Sequence, residues 1–153
     1  MKTFVLEREQ LIKAPLKEVW QFFSLPDNLD VITPKDLDLK IVECPDVQEI
    51  YPGMLIRYTV RPLLRLPFSW TTEIRAVKPL QSFTDVQIKG PYRKWEHQHT
   101  FIPINDCVLM KDRVLYAIPF DAVSGLINKW IVEKKLDQIF DYRKEVINKL
   151  FKN

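Results

Sequence analysis

The chain has 153 residues, 46% hydrophobic and 12% aromatic, with 11 Pro against 3 Gly, which fits a globular domain around one core and excludes a disordered or repetitive chain. Its 23 basic and 20 acidic residues leave a net charge of +3 with both signs mixed throughout, too mixed for a nucleic-acid footprint. Glu7, Arg8 and Glu9 break the opening stretch and no run of about eighteen apolar residues follows, so a soluble, cytoplasmic protein without stable membrane insertion is expected.

One domain over 1–153 is predicted. Residues 3–13 alternate and read as a strand, and Pro15 then opens a helix whose apolar side is Val19, Trp20, Phe22 and Phe23. LPDNLDVITP, with Asp27 placed to cap and Pro34 to stop it, predicts a second short helix. From 37 to about 118, Pro52-Gly53, Pro62 to Pro67, Lys78-Pro79, Gly90-Pro91 and Asn105-Asp106 cut the chain into six strands, for which an antiparallel meander is the economical topology. Cys44 and Cys107 lack a paired spacing and read as free thiols.

From Asp121 the period changes to that of a long helix. Val132, Leu136, Ile139, Phe140, Val146, Ile147 and Leu150 share one side, while Val123, Leu126, Ile127 and Trp130 lie almost opposite. Either the helix bends near 128–134, or its first turns pack against another surface. The second is preferred, with a bend as a modest addition and Gly125 allowing close approach to a sheet.

This order, with the phrases IKAPLKEVWQFFSLPDNL, GPYRKWEHQHTF, DRVLYAIPF and LDQIFDYR, resembles the START/Bet v 1-like (SRPBCC) superfamily, in particular its bacterial polyketide cyclase/dehydrase-related branch. The resemblance covers nearly the whole chain and implies an α+β helix-grip fold: a curved antiparallel sheet of about seven strands wrapped around the C-terminal helix, with two short helices after strand 1 and an apolar cavity between sheet and helix. In that branch some members are fused to epimerase-like domains. Relatives often carry glycines in the turn that here reads Asn105-Asp106-Cys107, which leaves the last hairpin's register open.

Alternation puts Trp95, His97, His99 and Phe101 on one face and sends Glu96 to the other. By the same parity Tyr58, Trp70, Thr72, Met110, Asp112 and Tyr116 face inward. A turn centred on Asn105-Asp106 places Asp112 opposite His99; a shifted turn places it opposite Phe101, still about 5 to 8 Å between β-carbons from His99. His99 and Asp112 are thus candidates for a proton-transfer pair, although a His–Asp contact in a cavity wall is more often structural or ligand-orienting. A metal is not expected, because His97, His99 and one carboxylate find no cysteine at a useful spacing, and no cofactor motif is present.

The expected ligand-binding residues are Tyr58, Trp70, Thr72, Trp95, His97, His99, Met110, Asp112, Tyr116 and Trp130. Leu63, Leu64 and Leu66, in the connection PLLRLP, are expected to form a portal that folds back on Val123, Leu126, Ile127 and Trp130. The leading reading is binding of a hydrophobic small molecule, lipid or polyketide-like. The alternatives are a cyclase or dehydratase using the His/Asp pair, and an interaction module with an epimerase-like protein partner. Oligomeric state leaves no mark in the sequence.

Overall fold

The structure, a computed structural model, describes residues 1–47, 49–62 and 65–152. Strand β1 (Phe4–Ile12) leads into helix α1 (Leu16–Phe23), which buries Val19, Trp20 and Phe23. Where a second helix is expected the chain makes two 3-10 turns, Pro26–Leu29 and Lys35–Leu37. Pro26 opens the first, and Asp27 lies inside it with no side-chain cap bond; Pro34, without an N–H, keeps the two turns from merging into one helix.

Six further strands follow: β2 (Lys40–Glu43), β3 (Leu55–Val60), β4 (Phe68–Lys78), β5 (Ser82–Lys89), β6 (Lys94–Ile104) and β7 (Cys107–Ala117). With β1 they form one antiparallel sheet of seven strands in the order β1-β7-β6-β5-β4-β3-β2. Register shifts in the β2–β3 and β4–β5 pairings bend it, because an extra residue on one strand adds local twist and curvature. The β6–β7 hairpin closes in two residues, with Ile104 paired to Cys107 and Asn105 in the left-handed region at φ 54°, a conformation asparagine adopts more readily than most residues. That turn settles the register: His99 stands opposite Asp112.

The C-terminal helix runs as α2 (Ser124–Ile127), a π-helical turn (Asn128–Val132) and α3 (Glu133–Leu150). The wide turn sits where the apolar pattern changes phase, as an extra residue in one turn rotates everything beyond it. The first turns therefore need no second surface. Their buried residues are polar, Ser124 and Asn128, with Ile127 packed partly against the core, and Asn128 accepts a 2.6 Å hydrogen bond from the Tyr116 hydroxyl. Leu126 and Trp130 are 64% and 59% exposed, and Val123 also faces outward. The expected cover is absent on the described side, since Leu66 is itself 54% exposed; Leu63 and Leu64 lie outside the described residues. A side chain added at Gly125 would meet the Lys2 ammonium at 2.9 Å, so Gly125 approaches a flexible side chain and not the sheet.

Two apolar clusters fill the space between sheet and helices. One joins Trp20, Met54, Phe101, Val108 and Ile147; the other joins Leu6, Trp70, Trp95, Val114, Tyr116 and Phe140. Met54 is fully buried in the first. Met54→Ala is expected to cost about 2–5 kcal/mol in chemical denaturation, and Leu126→Ala, on the exposed helix face, to stay within about 0.5 kcal/mol of the parent.

Candidate functional site

The middle of the concave wall is built by three adjacent strands. β6 supplies His97 and His99, β5 supplies Asp85, and β7 supplies Asp112. In register, Asp85 faces His97 and Asp112 faces His99. The hydrogen bonds cross this pairing: His97 Nε2 donates to Asp112 Oδ1 at 2.7 Å, and His99 Nε2 donates to Asp85 Oδ2 at 2.6 Å. The remaining nitrogens look at the remaining carboxylates, His99 Nδ1 at 3.4 Å from Asp112 Oδ1 and His97 Nδ1 at 3.6 Å from Asp85 Oδ2. The two imidazoles stack with centroids 3.8 Å apart, so the four groups form a square with one carboxylate on each side of the stack.

Aromatic neighbours hold the stack in place. Phe83 lies flat on His99 at 4.2 Å, and Phe140 of α3 meets His97 at a steep angle at 5.6 Å. Arg143, one turn beyond Phe140, brings its guanidinium to 3.9 Å from Asp112 Oδ1 between the rings of Phe23 and Phe140, each 5.6 Å away. The expected partner of His99 was Asp112. The structure gives that hydrogen bond to Asp85, because the side chains lean along the strand and meet diagonally.

Burial and mutual charge set the protonation of the square. Burial, and then the neighbouring His97, push the His99 imidazole down to about 4, with the bond to Asp85 only partly opposing them. Burial alone would raise both carboxyls. For Asp112 the Arg143 charge and then the His97 contacts outweigh it, and for Asp85 the His97 charge and the His99 bond do, so both stay well below the usual carboxylate range. Burial raises the Tyr58 and Tyr92 hydroxyls, which therefore remain protonated donors.

A cavity of about 200 Å³ opens against this wall, bounded by the sheet, by Phe22, Phe23 and the 3-10 turns, and by Leu136, Ile139, Phe140 and Arg143 of α3. Of the residues singled out in the sequence, Tyr58, Trp70, Thr72, Trp95, His97 and His99 line it. Four others do not. Met110 packs in the cluster around Trp20, Asp112 stands behind the imidazoles, Tyr116 turns to Asn128, and Trp130 faces outward beside Lys129 and Lys134. Leu66 is outside the cavity wall, which Pro62 reaches from the same connection.

Sequence reasoning passed over Asp85, Tyr92 and Arg143, all in the wall. The signals were present for two of them. Phe83 and Asp85 alternate on β5 as His97 and His99 do on β6, and Arg143 follows Leu136 and Phe140 by seven and three residues on the inward side of α3.

No protein-family model matches the chain, and no curated protein matches it in sequence. Solved structures do match in shape. Truncated norcoclaurine synthase from Thalictrum flavum superposes with a TM-score of 0.69 at 15% identity over 99% of this chain and 96% of that one. Ara h 8.0201 gives 0.62 at 16% identity over 95% and 98%, and protein Ms6760 from Mycobacterium smegmatis gives 0.65 at 15% over 95% and 92%. The chain shares their helix-grip fold. Within this helix-grip architecture the square of histidines and aspartates belongs to the concave face, where the long helix covers it. No helix among the described residues is long and apolar enough to cross a membrane.

The site predicts how stability follows pH. The native His99 imidazole stays neutral down to about 4, whereas in the unfolded chain it takes up a proton near 6.5. Between those values the unfolded state binds more protons, so stability falls on acidification through that window, by up to about 3 kcal/mol from this group. The lowered Asp85 and Asp112 carboxyls add a further loss below their ordinary value of 3.8. Urea denaturation at pH 7 and pH 4.5 measures the first effect, which His99→Phe is expected to reduce.

Proposed function

We propose that this chain binds a small hydrophobic molecule in the cavity, body against the apolar wall and one polar group turned toward Asp85, His99 and Tyr58. The observation that carries this reading is a concave, largely apolar cavity with few convergent polar groups, the usual anatomy of a small-molecule site. Its size narrows the ligand. A cavity of about 150 Å³ accepts benzene, and drug-sized ligands occupy about 300–1,000 Å³, so the 200 Å³ found here suits a substituted ring or a short chain better than a full lipid.

Ligands that fill the cavity stabilise the fold by mass action. A library of ring-sized phenols, aldehydes, acids and short-chain lipids is expected to contain members that raise the melting temperature and alter the fluorescence of Trp70 and Trp95. Ile139→Trp, which fills space at the cavity's helix side, is expected to abolish both responses while leaving the circular dichroism unchanged. A library without a single shift overturns the reading.

A second reading is favoured by the 2.6 Å bond between His99 and Asp85, two groups that both line the cavity and are suited to proton transfer. Norcoclaurine synthase, crystallised in complex with dopamine and hydroxybenzaldehyde, has the same fold. Incubating the chain with aromatic aldehydes and amines tests for turnover, and any product that forms is expected to disappear with Asp85→Asn.

A further inference from the structure

The square's hydrogen bonding does not close on itself. A neutral imidazole has one N–H and one lone pair, and both rings spend their N–H through Nε2, on Asp112 and on Asp85. The Nδ1 of the neutral His99 then turns a lone pair toward Asp112 Oδ1 at 3.4 Å, while His97 Nδ1 stands 3.6 Å from Asp85 Oδ2. Two acceptors facing each other repel. His99 Nδ1 is buried with no hydrogen-bond partner, in a residue 5% exposed, and such a group calls for an explanation.

We infer that Asp85, His97 and His99 bind a divalent transition-metal ion at the cavity wall, with Asp112 behind them as the carboxylate that orients both imidazoles. One donor atom from each of the three residues lies within 4.8 Å of the other two. Around a tetrahedral ion with bonds of about 2.0–2.1 Å the donor atoms stand about 3.4 Å apart, so small side-chain movements close the site.

The nitrogens that face Asp85 are His97 Nδ1 and His99 Nε2. His97, with Nε2–H on Asp112, offers Nδ1 there once that nitrogen carries no proton. His99 has to move its proton from Nε2 to Nδ1, a tautomer change that leaves the ring neutral, and the relocated N–H then points at Asp112 Oδ1, at 3.4 Å in this structure. The unpartnered nitrogen gains an acceptor. Both imidazoles then donate to Asp112 while ligating through their other nitrogen, the carboxylate–histidine–metal arrangement that fixes ring orientation and strengthens the ligand. Arg143 in turn faces Asp112.

Two imidazole nitrogens and one carboxylate select a zinc-like or other first-row divalent ion over magnesium or calcium. All three ligands line the cavity, so the open coordination positions point into it. Ligation needs the lone-pair form of both rings, so in the loaded site Asp85 and Asp112 against Arg143 supply one net negative charge, and a divalent ion turns this to one positive charge, which favours an anionic group as the next ligand. The expectation of no metal weighed two histidines and one carboxylate without a cysteine; the structure brings Asp85 to the two imidazoles as that carboxylate. The inference stands whether or not an organic ligand fills the cavity.

The full chain, stripped with EDTA, is titrated with Zn²⁺ by calorimetry and with Co²⁺ by visible absorption. One ion per chain is expected, with the intense d–d bands of four- or five-coordinate Co²⁺. Asp112→Asn is expected to weaken binding by about 10–100-fold, Asp85→Asn to weaken it at least as much, and the Cys44→Ser/Cys107→Ser double variant to leave it unchanged. The inference is overturned if the wild-type chain shows no saturable binding, if Asp85→Asn binds as the wild type does, or if removing the cysteines abolishes it.

Discussion

Two carboxylates and two imidazoles sit in an otherwise apolar wall, and each depends on the others. An ionised carboxylate without a partner at such depth costs several kcal/mol; Asp85 and Asp112 avoid that through His99, His97 and Arg143. Because the hydrogen bonds run diagonally, β5, β6 and β7 are tied together by side chains as well as by their ladders. Arg143 extends the tie to α3, so the sheet and the helix that covers it share one electrostatic unit. Removing one member leaves the others buried without their partner.

The cavity lies against the same unit. Above and below it the helices rest on apolar clusters centred on Trp20 and on Trp95. Between these, Asp85, His97 and His99 on the sheet and Arg143 on the helix line the cavity beside apolar side chains from both layers. Tyr58 and Tyr92, kept protonated by burial, complete the polar part of the wall. At the other end of the helix the chemistry differs. Asn128 meets the Tyr116 hydroxyl inside the π-helical turn, and Val123, Leu126 and Trp130 turn outward while Ser124 and Asn128 are buried and Ile127 and Val132 pack partly against the Trp95 cluster.

Likeness at 15–16% identity extends to architecture and stops there. A helix-grip sheet offers a concave face and a covering helix to many chemistries, and what a given chain does is decided by the side chains it places on that face. Here those are an aromatic frame and a charged square. Norcoclaurine synthase and Ara h 8.0201 share the backbone architecture while being distant in sequence, and the square is a feature of this chain's own residues.

Residue order was enough to lay out most of the fold. Strict alternation put His97 and His99 on one face and Glu96 on the other, Pro and Gly punctuated the six strands, and a change of period announced the long helix; each is a local signal, carried by neighbours in the chain. Three of the four residues of the charged square were legible in this way, and Asp85 was not. Asp112 could be brought near His99 by counting back through a hairpin, but the diagonal lean that gives His97 to Asp112 and His99 to Asp85 depends on side-chain directions in a bent sheet. Arg143 lies 31 residues after Asp112 on another element, and nothing local pairs them. The direction faced by Trp130 also waited on tertiary structure: an apolar residue on a helix is drawn to whatever core is within reach, and the buried Tyr116 hydroxyl drew Asn128 inward instead.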